Sequence, residues 1–439
     1  MRKSQLIIAL AAIGFAGSAM ATNGMNLEGY GPVALGMGGA SMAYDNGTAA
    51  VMNNPATLGL MGQGSRLDLA VGMLGPDVTS RCTAGPCAGA AASSGGDAYY
   101  MPAVGYMKKQ NNLTYGVALF AQGGMGTEYS ATSFMAGGNN VPTRSEVGVG
   151  RLIAPLAYNV NDNFTIGGSL DYVWAMMDIQ MVATAGQVLA MSGMNIALMP
   201  GAPDSAYLSF SDKSDYTGKA KGAGFAAKLG FTYKINPTLT IGATYHSKTD
   251  MGDLETSSNG ASFGLYAAGA ALGAPDIGKI TVRDFQWPET YGMGLAWQAN
   301  PKLLVAADIK HIGWEDVMSN FRMTYSSAGF GTVNMTMPQQ WKDQTVYALG
   351  ISYAMTDAIT LRVGANLSDN PVPNSTLNPL FPAIVKNHYT LGVGYKFDPS
   401  SDVNFALSYA PEVTVANVAG GVTSDHGQLS WQLMYSKRF

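Results

Sequence analysis

The sequence predicts an all-β protein: a 14-stranded antiparallel transmembrane β-barrel in a bacterial outer membrane. Three observations predict it. Charge is scarce, since 12% of the 439 residues are charged while 47% are hydrophobic, and a soluble domain averages about 25% charged. Apolar residues alternate with small or polar ones in segment after segment, which is the period of a strand. The connections alternate between short and long, as in barrels with short turns at one end and long loops at the other.

The chain starts with "MRKSQLIIALAAIGFAGSAMA", residues 1–21. Arg2 and Lys3 give a basic start, Leu6 to Phe15 an apolar run, and Ala19-Met20-Ala21 a small-x-small cleavage site, so the segment reads as an export signal. Cleavage makes the chain two units more negative than its formal −4. A negative balance argues against nucleic acid as a partner. Beyond the signal, no run of about 18 uncharged apolar residues reads as a transmembrane helix. Cys82 and Cys87 flank "TAGP" in a Gly/Ala/Ser-rich loop. An exported protein meets an oxidising compartment, so a small loop-closing disulfide is expected. A metal site is not expected, because no His is near and two thiolates are too few ligands.

The strands follow. In "NFTIGGSLDYVW", Phe164, Ile166, Leu170, Tyr172 and Trp174 share one face, and Thr165, Gly167, Ser169 and Asp171 the other. "AITLRVGANLS", "HYTLGVGYKF" and the terminal "QLSWQLMYSKRF" repeat the pattern. About fourteen such segments occur between residues 66 and 439, each near the ~10 residues a tilted membrane strand needs. Turns such as "NVNDN" and "MTDA" contrast with long loops at about 75–97, 175–218, 250–278, 316–341, 370–386 and 411–426. Tyr and Trp recur near strand ends, as an aromatic girdle requires. Phe439 ends the chain after Trp431, Leu433 and Tyr435 at alternate positions. This is similar to the signal by which such barrels engage their assembly machinery.

Two long loops are too apolar for open water. Residues 175–210 contain Met176, Met177, Met181, Met191, Met194 and Met199, and "GQVLAMSGMNIALM" has helix formers for one or two short helices. "ASFGLYAAGAALGA", 261–274, is equally apolar. Methionine is flexible and polarizable and suits varied apolar shapes. The loops therefore read as an apolar capture groove, as two segments packed on each other over the barrel mouth, or as both.

With these blocks in view, the chain resembles the FadL/TodX family, outer-membrane transporters of long-chain fatty acids and aromatic hydrocarbons. The resemblance runs through "GYGPVALGMGGASMAYDNGTAAVMNNPATL", "TYGVALFAQGGMGTEYS", "QWPETYGMGLAW", "HIGWEDV" and "NHYTLGVGYKF", in the family's order. It implies a hatch over residues 22–65 plugging the lumen of a barrel over 66–439, with Asn54, Pro55 and Ala56 in the hatch. It implies a third strand kinked inward at Gly123, Gly124 and Gly126, leaving a gap in the wall. Substrate then lands between the loops at 175–218 and 250–278, passes to an internal site beside the hatch, and leaves sideways into outer-membrane lipid. Met176, Met177, Met191, Met194 and Phe120 are the candidate apolar contacts. The resemblance implies no cofactor, no catalysis and a monomer.

One departure bears on substrate. Fatty-acid members place basic residues just past a V-Y-A at the end of the fifth strand; here that stretch is Val173-Trp174-Ala175-Met176-Met177-Asp178. Arg322 lies close to the second basic position, where it could bind a carboxylate or pair with Glu315 or Asp316. Fatty acids and neutral hydrocarbons both stay open. The alternative functions are a general porin and an outer-membrane lipid hydrolase. A porin wants facing rows of charge, and the lumen faces here are mostly Gly, Ser, Thr and Ala. A hydrolase wants a nucleophile beside a His, and none of His246, His311, His388 and His426 adjoins an obvious one.

Overall fold

A computed structural model describes residues 23–214 and 216–439, so the expected export signal lies outside the described residues. Among the described residues there are 24 strands in one sheet. The first twelve are β1 (Gly64–Leu74), β2 (Pro76–Cys82), β3 (Ala91–Ser93), β4 (Tyr99–Gln110), β5 (Leu113–Tyr129), β6 (Thr143–Asn159), β7 (Phe164–Thr184), β8 (Ser205–Phe210), β9 (Ala220–Asn236), β10 (Leu239–His246), β11 (Asp250–Met251) and β12 (Leu254–Glu255). The rest are β13 (Ala261–Ala267), β14 (Ala270–Ala271), β15 (Asp276–Arg283), β16 (Thr290–Asn300), β17 (Leu303–Ile312), β18 (Asn320–Ser327), β19 (Gly331–Pro338), β20 (Gln344–Ala354), β21 (Ile359–Leu367), β22 (His388–Asp398), β23 (Ser401–Asn417) and β24 (Val422–Arg438).

The strand number corrects the sequence expectation. Counted at its loop end, the closed barrel has 18 strands, not 14. The ring runs from β1 through β4, β5, β6, β7, β8, β13, β15, β12, β9, β10, β16, β17, β20, β21, β22 and β23 to β24. β24 then pairs back onto β1. Of the uncounted members, β8, β12 and β13 come from the stretches read as long loops, while β15 and β16 divide what the sequence reads as one strand starting near residue 279. The uncounted members enter the ring on one side only, because β7 and β9 pair directly from Phe164↔Tyr233 to Met177↔Ala220. Their segments are short and weakly alternating, so period-two counting passes over them. Pairing edge to edge satisfies backbone groups that a loose loop over an apolar mouth would strand. The stretches 316–341 and 411–426 likewise hold strands, the β18–β19 hairpin and the outer ends of β23 and β24.

The outer face explains the scarcity of charge. Exposed aromatics recur six residues apart on one strand: Tyr100 and Tyr106, Tyr291 and Trp297, Tyr347 and Tyr353, Tyr389 and Tyr395. Six residues span about 20 Å of strand, and exposed Leu, Val, Ile and Phe fill the band between. Such a band suits lipid, with amphipathic rings at its edges.

The N-terminal stretch is buried almost throughout from Asn23 to Met61. It touches strands all round the ring, which only a segment within the lumen can do. Asp308 of β17 accepts from Ser41 N at 2.6 Å and Met42 N at 3.2 Å. Lys310 donates to Gly39 O at 2.9 Å, Asn366 of β21 to Gly38 O at 3.0 Å, and Gln432 of β24 to Gly29 O at 3.1 Å. Close approach needs bare backbone on the wall: a Cβ on Gly364 would lie 2.1 Å from Gly38 N.

The stretch 370–386 also departs from expectation. It does not stand outside as a loop but folds inward, with Val372, Leu377, Leu380, Phe381, Ile384 and Val385 buried. The apolar run "LFPAIV" gains more from the lumen than from water.

Candidate functional site

The loop side of the lumen is capped by a helix, Ala185–Ser192. Thr184 and Gln187 close a capping box at its start, where Gln187 Oε1 accepts from Thr184 N at 2.8 Å, so the helix starts sharply after β7. Beneath it lies a small, tightly packed cavity lined by Met181, Met191, Met194, Phe263, Met323 and Met335, among other mostly apolar residues. No charged side chain lines it. The two apolar loops meet at this cavity by pairing β8 with β13, from Ser262↔Ser209 to Tyr266↔Ser205.

The candidate methionines separate here. Met191 and Met194 line the cavity together. Met177 is buried and packs in the lumen cluster. Met176 sits next to it on the strand and so faces the opposite side of the sheet.

Strand pairing in the wall is incomplete near β5. The β4–β5 ladder runs from Gln110↔Leu113 to Val104↔Leu119 and stops. From Ala103 to Met101, β4 keeps its pairing with β1, and the β4–β5 register does not extend to it. Pro102 lies in this stretch, where its missing N–H leaves no ladder bond unmade. β5 meanwhile carries a register shift between Ala121 and Gly123 against β6. A narrow cleft occupies the junction, lined by Leu27, Tyr30, Met101, Pro102, Phe120 and Ala121 among others. Phe120 is thus at the opening rather than beside the methionines.

The N-terminal segment docks at this shift. Gly124 N donates to Met25 O at 3.2 Å, and Asn26 bridges Gly123. A Cβ on Gly123 would lie 2.0 Å from Met25 O, so only glycine admits the contact. Gly126 sits farther along the arm, where a Cβ would come 3.0 Å from Ser145 O.

Asn53, Asn54 and Pro55 knit the segment. Asn54 Oδ1 accepts from Ala56 N at 3.1 Å, while its Nδ2 donates to Met42 O at 2.8 Å and to wall residue Phe231 O at 3.1 Å. Pro55 opens the short 3₁₀ helix Pro55–Leu60, a position that needs no N–H donor. Asn53 Nδ2 donates to Tyr30 O at 3.0 Å.

Two groups of lumen residues escaped the sequence reading. Trp287, Trp314 and Trp341 are fully buried and stack edge to face, with centroids 5.7 and 5.3 Å apart. Trp287 Nε1 donates to Asn26 Oδ1 at 2.8 Å, which ties the trio to the N-terminal segment. Each falls in a compact "QW" or "GW" block, the only sequence signal available. The second group is ionic: Asp171 accepts from Arg151 at 2.8 Å and from Lys228, all three buried. Asp171 stands on the polar face of its strand in the sequence, but its partners on β6 and β9 become neighbours only when the strands pair.

The remaining candidates lie outside the lumen. Arg322 is half exposed and pairs with Asp284 at 2.8 Å, not with Glu315 or Asp316, because β15 and β18 lie side by side. Cys82 and Cys87 are disulfide-bonded with Cα atoms 5.7 Å apart. No group of three metal-ligating side chains occurs among the described residues.

The side away from the loops is different in character. Under Gly59 and Leu60 lies a recess of about 1360 Å³ lined by Lys109, Asn111, Asn159, Asn161, Lys234 and Gln298, among others.

Comparison with known proteins agrees with this architecture. The family model described as outer membrane protein transport protein (OMPP1/FadL/TodX) matches residues 8–431. The toluene transporter TodX of P. putida has 31% sequence identity and a TM-score of 0.83, covering 94% of this chain and 99% of that one. The Ralstonia pickettii toluene transporter TbuX has 30% identity and a TM-score of 0.76, also covering 94% and 99%. The long-chain fatty acid transport protein of Salmonella typhi is 25% identical over 319 residues, 71% of this chain and 69% of that protein. Two further curated relatives are matched over only 30% and 53% of their own length.

Proposed function

The chain belongs to the OMPP1/FadL/TodX family of outer-membrane transport proteins, whose members are channels and not enzymes, and on that premise we propose that it takes up hydrophobic small molecules passively and releases them sideways into the membrane. Capture occurs in the methionine cavity under the Ala185–Ser192 helix. The N-terminal segment is a hatch, and its retreat from Gly123–Gly124 lets the substrate pass to the cleft at Phe120 and out between β4 and β5.

The observation that carries this reading is the end of the β4–β5 ladder at Val104↔Leu119, close to where Met25 docks on Gly124. An apolar molecule gains by moving from that apolar cleft into lipid. It would lose by entering the polar recess under the hatch, since transfer to water is unfavourable in proportion to apolar area. The uncharged lining of the loop cavity favours neutral hydrocarbons over carboxylates, because an unpaired carboxylate there would be buried at high cost. The toluene transporters among the relatives are consistent with that preference.

The test is uptake by cells whose outer membrane carries lipopolysaccharide, with toluene and a long-chain fatty acid as probes, set beside planar-bilayer conductance. Faster toluene entry with a closed electrical baseline is expected. Large steady currents from the full-length protein would overturn the plugged reading in favour of a porin. Native mass spectrometry of protein in mild detergent reads the substrate class directly from the bound mass.

A further inference from the structure

Resting on the uptake reading above, we propose that residues 370–386 form a second gate, a strap across the loop side of the lumen that must swing aside before substrate reaches the hatch. The strap leaves β21 at Leu367 and enters β22 at His388, and those strands are ring neighbours. A mere connection would turn back at once. Instead its carbonyls are held by β5 and β6, which are reached from β22 only through β23, β24, β1 and β4. Tyr129 Oη donates to Pro379 O at 3.0 Å, Thr127 Oγ1 to Leu380 O at 3.3 Å, and Ser145 Oγ to Leu380 O. With Leu380, Phe381 and Ile384 buried, the strap crosses inside the ring rather than over its mouth.

Its position is on the route. The Phe381 ring meets Phe321 of β18 with centroids 5.9 Å apart. Phe321 shares the inward face of β18 with Met323, which lines the methionine cavity. At its base, Ser368 Oγ lies 3.2 Å from Lys386 O of the strap and 3.3 Å from Asn23 Oδ1 at the start of the N-terminal segment. The same buried apolar cluster runs from Met323 through Leu380 and Phe381 to Trp287 and Met25. The strap therefore stands between the capture cavity and the hatch.

Its chemistry suits a moving part. Pro371, Pro373, Pro379 and Pro382 stiffen the strap, since each fixes φ and removes a donor. On β5 and β6 hydroxyls hold its carbonyls, and on the other side Asn417 donates to Leu377 O at 3.0 Å and His426 Nδ1 to Pro382 O at 2.7 Å, so side-chain donors rather than a strand ladder hold it in place. Thr127 and Tyr129 lie on the arm of β5 beyond Gly123–Gly124, so the strand that docks the hatch also clamps the strap. Displacement of one is transmitted to the other along a single strand.

The test locks the strap. In a Cys82→Ser, Cys87→Ser background, Thr127→Cys and Leu380→Cys are joined by oxidation, and toluene entry is measured in cells before and after reduction. Oxidation is expected to slow entry at least about tenfold, with full recovery on reduction, as for a gating segment held shut. Equal rates in the oxidised and reduced forms would overturn the gate. A second measurement is independent of uptake: spin labels at the exposed Ser375 and Val418 report the strap's distance from the β23–β24 turn. Saturating toluene is expected to shift or broaden that distance, and an unchanged distribution would overturn the gate. If the background chain speeds toluene entry no more than cells lacking it, the uptake reading falls, and the spin-label distance alone decides the strap.

Discussion

Gly124 N and Met25 O are 3.2 Å apart, and this bond joins the irregular point of β5 to the start of the buried N-terminal segment. The neighbouring Gly123 has no room for a methyl group, with Met25 O 2.0 Å from where a Cβ would stand. Gly123→Ala is therefore expected to pry the segment off the wall, at a cost of about 1–3 kcal/mol typical of overpacking. Higher baseline conductance in bilayers and a lower unfolding temperature are the expected readouts; an unaltered baseline would show that this contact does not seal the lumen.

Removing residues 23–61 should open the lumen altogether. The segment fills space between strands all round the ring, held by Asp308, Lys310, Asn366 and Gln432. Small polar solutes are expected to pass the deletion variant, while toluene uptake weakens because the internal site loses one wall. Permeability equal to that of the intact chain would refute the plug.

Charge placed in the loop cavity tests capture. Met191→Asp sets a carboxylate among Met181, Met323 and Met335, where an unpaired charge is strongly unfavourable. Toluene uptake is expected to fall by about tenfold, a factor worth ~1.4 kcal/mol. Arg322→Ala is the contrast: its pair with Asp284 is exposed, and such pairs contribute about 0–1 kcal/mol. Its uptake should match that of the unaltered chain, and a marked loss would restore Arg322 as a ligand contact.

Asn26 concentrates several buried polar contacts in one side chain. Its Oδ1 accepts from Trp287 Nε1 at 2.8 Å and from Gln122 Nε2 at 3.2 Å. Asn26→Leu leaves both donors without that acceptor, and a buried donor without its acceptor costs about 1–3 kcal/mol. A lower melting temperature with altered Trp emission is expected, and Trp emission identical to that of the parent would argue that the trio is not tied to the N-terminal segment.

Acid should act at the turn after β22. Asp398 is held down to about 2, chiefly by the Ser400 hydroxyl and then by Ser400 N–H. Its carboxylate is thus favoured by folding: the stabilisation is complete above the ordinary value of 3.8 and is lost as pH falls through about 2. The difference in melting temperature between the parent and Asp398→Asn should be constant near neutrality and shrink to nothing towards that lower limit. A difference that grew on acidification would reverse the sign and discard the assignment.

What the sequence determined by itself was whatever repeats locally. Alternation in "NFTIGGSLDYVW" and "HYTLGVGYKF" states which face meets lipid, because side chains of a strand point alternately to its two sides. The low charge and the recurring aromatics then require a membrane band. Methionine density at 176–199 pointed to the loop side, yet only pairing of β8 with β13 decided that Met191 and Met194 share a cavity while Met176 faces away. Closure was likewise non-local. Short segments such as Ser205–Phe210 become strands only when a partner edge is offered, so an 18-strand ring could not be counted from periodicity. Arg322 found Asp284, and Asp171 found Arg151 and Lys228, through strand registers that no linear spacing encodes. The 370–386 strap was decided the same way: its apolar and proline-rich sequence requires shelter, and only the tertiary structure supplied a lumen to shelter it.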